Sequence, residues 1–172
     1  MTGNFGFIHE KIEIKILILF ILRRVPGPVT FDELTALTMF DDGIGYFDFA
    51  DCVAELVRTQ HIVFEDNKYS LTAKGARNGE ITEISLPYSV RLDAENKAYE
   101  YRAALDRDSM IKTSRAVNQD GSCTVSMVMS DGIGEMISLD LFAANERQAA
   151  KIERGFRKNA ENVYKALLRM LG

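Results

Sequence analysis

YFDFADCVAELVRTQHIVFEDNKYSLT, residues 46–72, decides how this chain folds. Its first part has a helical period. At about 100° per residue, Tyr46, Phe49, Ala50, Val53, Leu56 and Val57 share one broad apolar face. Asp48, Asp51, Glu55, Arg58 and Thr59 share the opposite face. The second part changes period. Two short β-prone runs flank Asp66-Asn67, a pair suited to a tight hairpin turn. A helix followed directly by a two-stranded hairpin is predicted.

Upstream, HEKIEIKILILFILRR (residues 9–24) predicts a first helix. Its centre, Ile16 to Leu22, is apolar all round, so it must be covered on more than one side. One small domain rarely does that, and an exposed apolar side usually marks an interface. A homodimer is therefore expected, with Ile14, Ile18 and Leu22 against a second subunit or the C-terminal part. VPGP (25–28) breaks the helix. Thr30, with Glu33 three residues later, opens a second helix over 31–40 with a capping box, and DDGIG (41–45) closes it. Three helices and a hairpin in this order make a winged-helix arrangement, in which the third helix would read DNA.

At YSLTAKG (69–75) the pattern becomes specific. A tyrosine, a leucine-threonine pair and a closing lysine-glycine resemble many bacterial winged-helix regulators. With YFDFADCVAELVRTQHI, ITEISLPYSVR and NERQAAKIERGFRKNAENVYKALLRML, the chain resembles the domain-of-unknown-function 4364 family of Firmicutes over nearly its whole length. That resemblance implies a winged-helix N-terminal part and an α+β C-terminal part, and it brings no activity with it. The broader winged-helix resemblance implies transcriptional regulation, an inference from fold alone.

The C-terminal half is legible without the family. A helix is predicted over 88–106, then strands near 110–118, 122–130 and 134–142, joined as a meander. Cys123, Val125, Met127 and Met129 alternate with Thr124, Ser126 and Ser130, as in a sheet covered on one face. The last helix, over 145–171, is the cover, with Ala149, Ile152, Phe156, Val163, Leu167 and Met170 facing inward. The expected fold is α+β: a winged-helix domain over 1–85, and a helix, three-stranded antiparallel sheet and helix over 86–172.

Charge divides the chain. Residues 1–75 hold 7 basic and 11 acidic side chains, while residues 76–172 hold 14 of each. The outer face of the third helix carries Asp48, Asp51 and Glu55 against Arg58, and the hairpin tip adds Glu65 and Asp66 against Lys68. Phosphate contacts by Lys and Arg supply most non-specific DNA affinity, so this face approaches a duplex against repulsion. The last helix is the reverse, with Arg147, Lys151, Arg154, Lys158, Lys165 and Arg169 outside. That stripe reads as a surface for nucleic acid or an acidic partner, as the solvent face of an amphipathic cover, or as a complement to the acidic third helix. The leading expectation is a non-enzymatic DNA-binding regulator. Its alternatives are a protein-contact module meeting a basic partner, and a small-ligand sensor using the sheet and its cover.

Other signals are bland. DGIG occurs at 42–45 and 131–134 but lacks the strand-to-helix setting of a phosphate loop, so both copies read as turns. Cys52 and Cys123 fall on apolar faces, and no nucleophile or zinc spacing emerges. His9 and Glu13 form a helical surface pair, while Asp106, Asp108, Asp120 and Asp131 suit turns and element ends. No catalytic residue, cofactor or metal is expected. No apolar run spans a bilayer and the start lacks a signal-peptide pattern, so a cytoplasmic protein without membrane contact is expected.

Overall fold

The computed structural model describes residues 7–172. Its elements are α1 (Lys11–Leu22), α2 (Phe31–Thr38), α3 (Tyr46–Arg58), β1 (Ile62–Glu65), β2 (Lys68–Leu71), α4 (Ala73–Thr82), α5 (Tyr88–Met110), β3 (Ile111–Val117), β4 (Cys123–Ser130), β5 (Glu135–Ala143) and α6 (Glu146–Leu171). The fold is mixed α+β. Two compact units are present, Met1–Ala103 and Ala104–Gly172. The division falls within α5, whereas the sequence reading placed it at 85/86. Val90, Ala94 and Ala98 of α5 are buried in the first core, which carries that helix into the first unit.

In the first unit, local chemistry sets the elements. Thr30 Oγ1 accepts from the Glu33 amide, and the Glu33 carboxylate accepts from the Thr30 amide at 2.7 Å, closing the capping box that starts α2. That carboxylate is held below its ordinary pKa, chiefly by the Thr30 amide. α3 ends in a Schellman pairing: the His61 amide donates to Leu56 O at 2.9 Å and the Gln60 amide to Val57 O at 3.0 Å, with Gln60 at φ 60°. Asp66 and Asn67 turn the hairpin at φ 49° and 62°, the left-handed pair such a two-residue loop needs. Val29, between α1 and α2, pairs with Tyr69 and so adds a short third rung to the hairpin.

The structure corrects the reading of α1. Ile14 and every residue from Ile16 to Leu22 are buried within this chain, against α2, α3, α4 and the hairpin. No second subunit is needed to cover Ile14, Ile18 or Leu22, so the argument for a homodimer from this helix falls away. The element that completes the cover, α4, was not foreseen. Thr72 caps it by accepting from the Gly75 amide. A Cβ at Gly75 would lie 2.0 Å from His61 O, and one at Gly79 3.2 Å from Leu19 Cβ. Two glycines one turn apart therefore let α4 press against the α3–β1 connection and α1.

In the second unit, β4 lies between β3 and β5, all antiparallel. Cys123, Val125, Met127 and Met129 are buried under α6, against Ala149, Phe156 and Ala160. Ile152 and Val163 pack on this core while half-buried. Met170, expected to face inward, is 79 % exposed. Leu168 and Leu171 are exposed as well, so the last turn of α6 lies beyond the cover of this core, while Val163 and Leu167 stay half-buried past the break in helical geometry at Asn159 (φ −128°, ψ 18°). Asp120 and Asp131 each accept from backbone amides two or three residues on, as turn-building aspartates do.

Candidate functional site

Asp48 and Asp51 of α3 are exposed, as the sequence suggested, and Glu55 is half-buried. Asp48, Asp51 and Glu55 sit on the flank beside α1, where lysines meet them. Lys11 Nζ lies 2.9 Å from Asp51 and 3.4 Å from Asp48, and Lys15 pairs with Glu55. The Lys15 contact lowers the pKa of Glu55, and the hydrogen bond that Lys11 donates to Asp51, then that to Asp48, raises the pKa of Lys11. These pairs are solvent-exposed and add little stability. Their effect is electrostatic: three carboxylates face two lysines of the neighbouring helix as well as Arg58.

The open side of α3 carries aromatic side chains as well. Phe47, Asp51, Ala54 and Arg58 follow each other at i, i+4, i+7 and i+11 along the outer side of α3, and Phe47 is 83 % exposed. Tyr46, expected in the core, is 52 % exposed because it begins the helix at the rim. Between α3 and the hairpin runs a groove of about 300 Å³, lined by Phe31, Ala50, Val53, Ala54, Val57, Phe64 and Tyr69. Five rings form a continuous chain beside it. Phe47 meets Tyr46 at 5.8 Å between centroids, Tyr46 meets Phe31 at 6.4 Å, Phe31 meets Tyr69 at 6.2 Å, and Tyr69 meets Phe64 at 4.7 Å. Partial burial raises the pKa of the Tyr69 phenol. Glu65, Asp66 and Lys68 stand exposed at the hairpin end of this groove.

Aromatic groups are enriched where proteins meet, and they carry much of the energy when they fill pockets. Sequence reasoning missed Phe47, Ala54 and Phe64. One signal was available: Phe47 is an aromatic residue on the polar side of an amphipathic helix.

The family model of the domain of unknown function DUF4364 matches residues 14–171. The chain belongs to the DUF4364 family. No curated protein and no solved structure matches it.

In this DUF4364 chain the basic residues of α6 are exposed but divided. Arg147, Lys151, Arg154 and Lys158 precede the break at Asn159, and Lys165 and Arg169 follow it. The continuous stripe expected from an unbroken helix is therefore interrupted. Glu161 pairs with Arg107 of α5, at 2.8 Å, rather than with the stripe. Arg58 is exposed at the end of α3, and Lys68 faces Glu65 across the hairpin.

The chemistry-bearing side chains do not converge. Cys52 is buried, its Sγ 3.4 Å from Lys11 O, and burial raises its pKa. Cys123 is buried in the second unit. His61 is a strut, with Nδ1 2.8 Å from Thr59 Oγ1 and Nε2 2.7 Å from Asn78 Nδ2. Burial, then nearby Lys74, lowers its pKa. Among the described residues no three His, Cys, Asp or Glu side chains are grouped as metal ligands, and no helix is long and apolar enough to cross a membrane.

Proposed function

We propose that this DUF4364 chain is a non-enzymatic winged-helix protein of the transcriptional-regulator kind, working through the face formed by α3 and the hairpin. The winged-helix reading is supported by the order α1, α2, α3, β1, β2 and by the Val29–Tyr69 pairing beside the hairpin. In that arrangement α3 is the presenting helix and the hairpin is the wing.

The ligand class this face suits best is another protein. The carrying observation is the apolar groove with its chain of five rings, where a duplex reader would place basic and amide side chains. An amphipathic helix or extended segment with apolar anchors fits such a groove. Exposed Asp51, Glu65 and Asp66 favour basic residues on its flanks.

Duplex DNA is the second reading, favoured by the helix order and by the lysines that meet Asp48, Asp51 and Glu55. A salt titration against random duplex separates the two. Each neutralised phosphate adds about −0.9 to the slope of log K against log salt. The protein-contact reading expects no duplex binding at low salt. A steep slope, flattened by Arg58→Gln, would overturn it in favour of DNA.

A further inference from the structure

At the end of α1 opposite Lys11, three arginines gather around a cavity. Arg23 and Arg24 leave the last turn of α1, and Glu95, Ala98, Tyr99 and Arg102 approach from α5. The cavity measures about 370 Å³, room for a small metabolite. Glu83 lies 2.6 Å from Arg23 and 3.3 Å from Arg24, and Glu95 lies 3.3 Å from Arg24. Three guanidinium groups thus face two carboxylates, leaving one positive charge in excess.

A purely structural role uses these arginines only in part. Arg24 Nη1 donates to Phe20 O at 3.2 Å and its guanidinium lies over the Phe20 ring, so it helps to cap α1. Arg102 Nη2 donates to Arg24 O at 3.2 Å. A guanidinium carries five N–H donors. Arg23 and Arg102 each make one such bond to protein among the described residues, so most of their donors remain for solvent or a ligand at the cavity wall. Tyr99, 74 % exposed, adds an aromatic side chain to the same wall.

We infer that this cavity is an effector site for a small, multiply charged oxyanion, either a phosphorylated metabolite or a polycarboxylate. The guanidinium forks of Arg23 and Arg102 would take its oxygens in paired hydrogen bonds, the geometry in which arginine recognises both groups. Glu95, half-exposed and at the edge of the ion-pair group, would compete with the ligand for Arg24. The ligand would thereby link α1 to α5, two helices of the first core. This assignment stands independently of the partner reading for α3 and the hairpin.

The test is thermal stability and calorimetry on the full chain, with pyrophosphate and citrate as probes against sodium chloride at matched ionic strength. A ligand that binds the native state raises the midpoint in a saturable way. One or both probes should do so at millimolar concentrations, and which one does identifies the oxyanion source. Arg102→Gln, at an exposed position with one protein contact, should leave the ligand-free midpoint nearly unchanged and weaken binding by about tenfold or more, as expected for a lost charge-assisted hydrogen bond. Glu95→Gln should strengthen it. Chloride-equivalent shifts, absence of saturation with both probes, or an affinity unchanged in Arg102→Gln would each overturn the assignment.

Discussion

Phe156 is the only large aromatic side chain fully inside the second unit, and replacing it with alanine tests how that unit is held together. It is 4 % exposed, under β4 and between Ala149 and Ala160. Burying a phenylalanine is worth about 1.5–3 kcal/mol in transfer free energy. The cavity left behind raises typical losses to about 3–5 kcal/mol. One feature places this site near the lower end. Met127 and Met129 are neighbours in the same core, and unbranched thioethers relax into gaps. Against that, the flanking alanines can fill nothing. The expected loss is about 3 kcal/mol, a large share of the stability available to so small a core. Tyr164 is the only tyrosine in this unit, and the chain has no tryptophan. Amide exchange resolved by segment, alongside urea melts, would therefore report the two units separately. Exchange should accelerate across β3–β5 and α6 while α1 and α3 keep their protection. A loss below about 1 kcal/mol, or acceleration spread evenly over the chain, would refute the role given to this side chain.

Other consequences follow from single contacts. Gly75→Ala gains helix propensity of about 1 kcal/mol but drives a methyl into His61 O, so net destabilisation of about 1–3 kcal/mol is expected in thermal melts. Gln60→Gly relieves a left-handed residue at the end of α3 and should stabilise by about 1 kcal/mol. Thr30→Ala should cost about 0.5–2 kcal/mol. Because the folded pKa of Glu33 is lowered, the capping contribution is present above the unfolded pKa and lost as pH falls through the folded value; acid melts of Thr30→Ala should lack that component. Burial and then Glu33 push Tyr101 up to about 12, so its contribution holds below its ordinary pKa and is lost as pH rises through about 12. Ultraviolet titration should find a phenol that ionises late in the wild type and earlier in Glu33→Gln.

The elements that could be read from the sequence were those set by neighbours in the chain. Thr30 with Glu33, Asp66 with Asn67, and the alternation along β4 each need only a few residues to act. α4 was hidden because Gly75 and Gly79 are poor helix formers whose purpose lies in contacts with His61 and Leu19. The lysines that meet the acids of α3 lie about 40 positions upstream, so a charge count over one helix could not include them. The apolar groove was hidden for a similar reason. Ala50 and Val57 look like ordinary core positions until the hairpin is placed, and only then is it clear that Phe64 and Tyr69 stop short of covering them.

A protein that meets the face of α3 and the hairpin can be captured there. The most direct measurement places a photo-crosslinking phenylalanine analogue at position 47 in the native cell, where the side chain is exposed and its replacement disturbs no core. A discrete protein adduct is expected, and Ala54→Glu, which fills the groove with charge, should abolish it without altering the fold. Adducts removed by nuclease, or no adduct beyond that formed from exposed Tyr88, would contradict it.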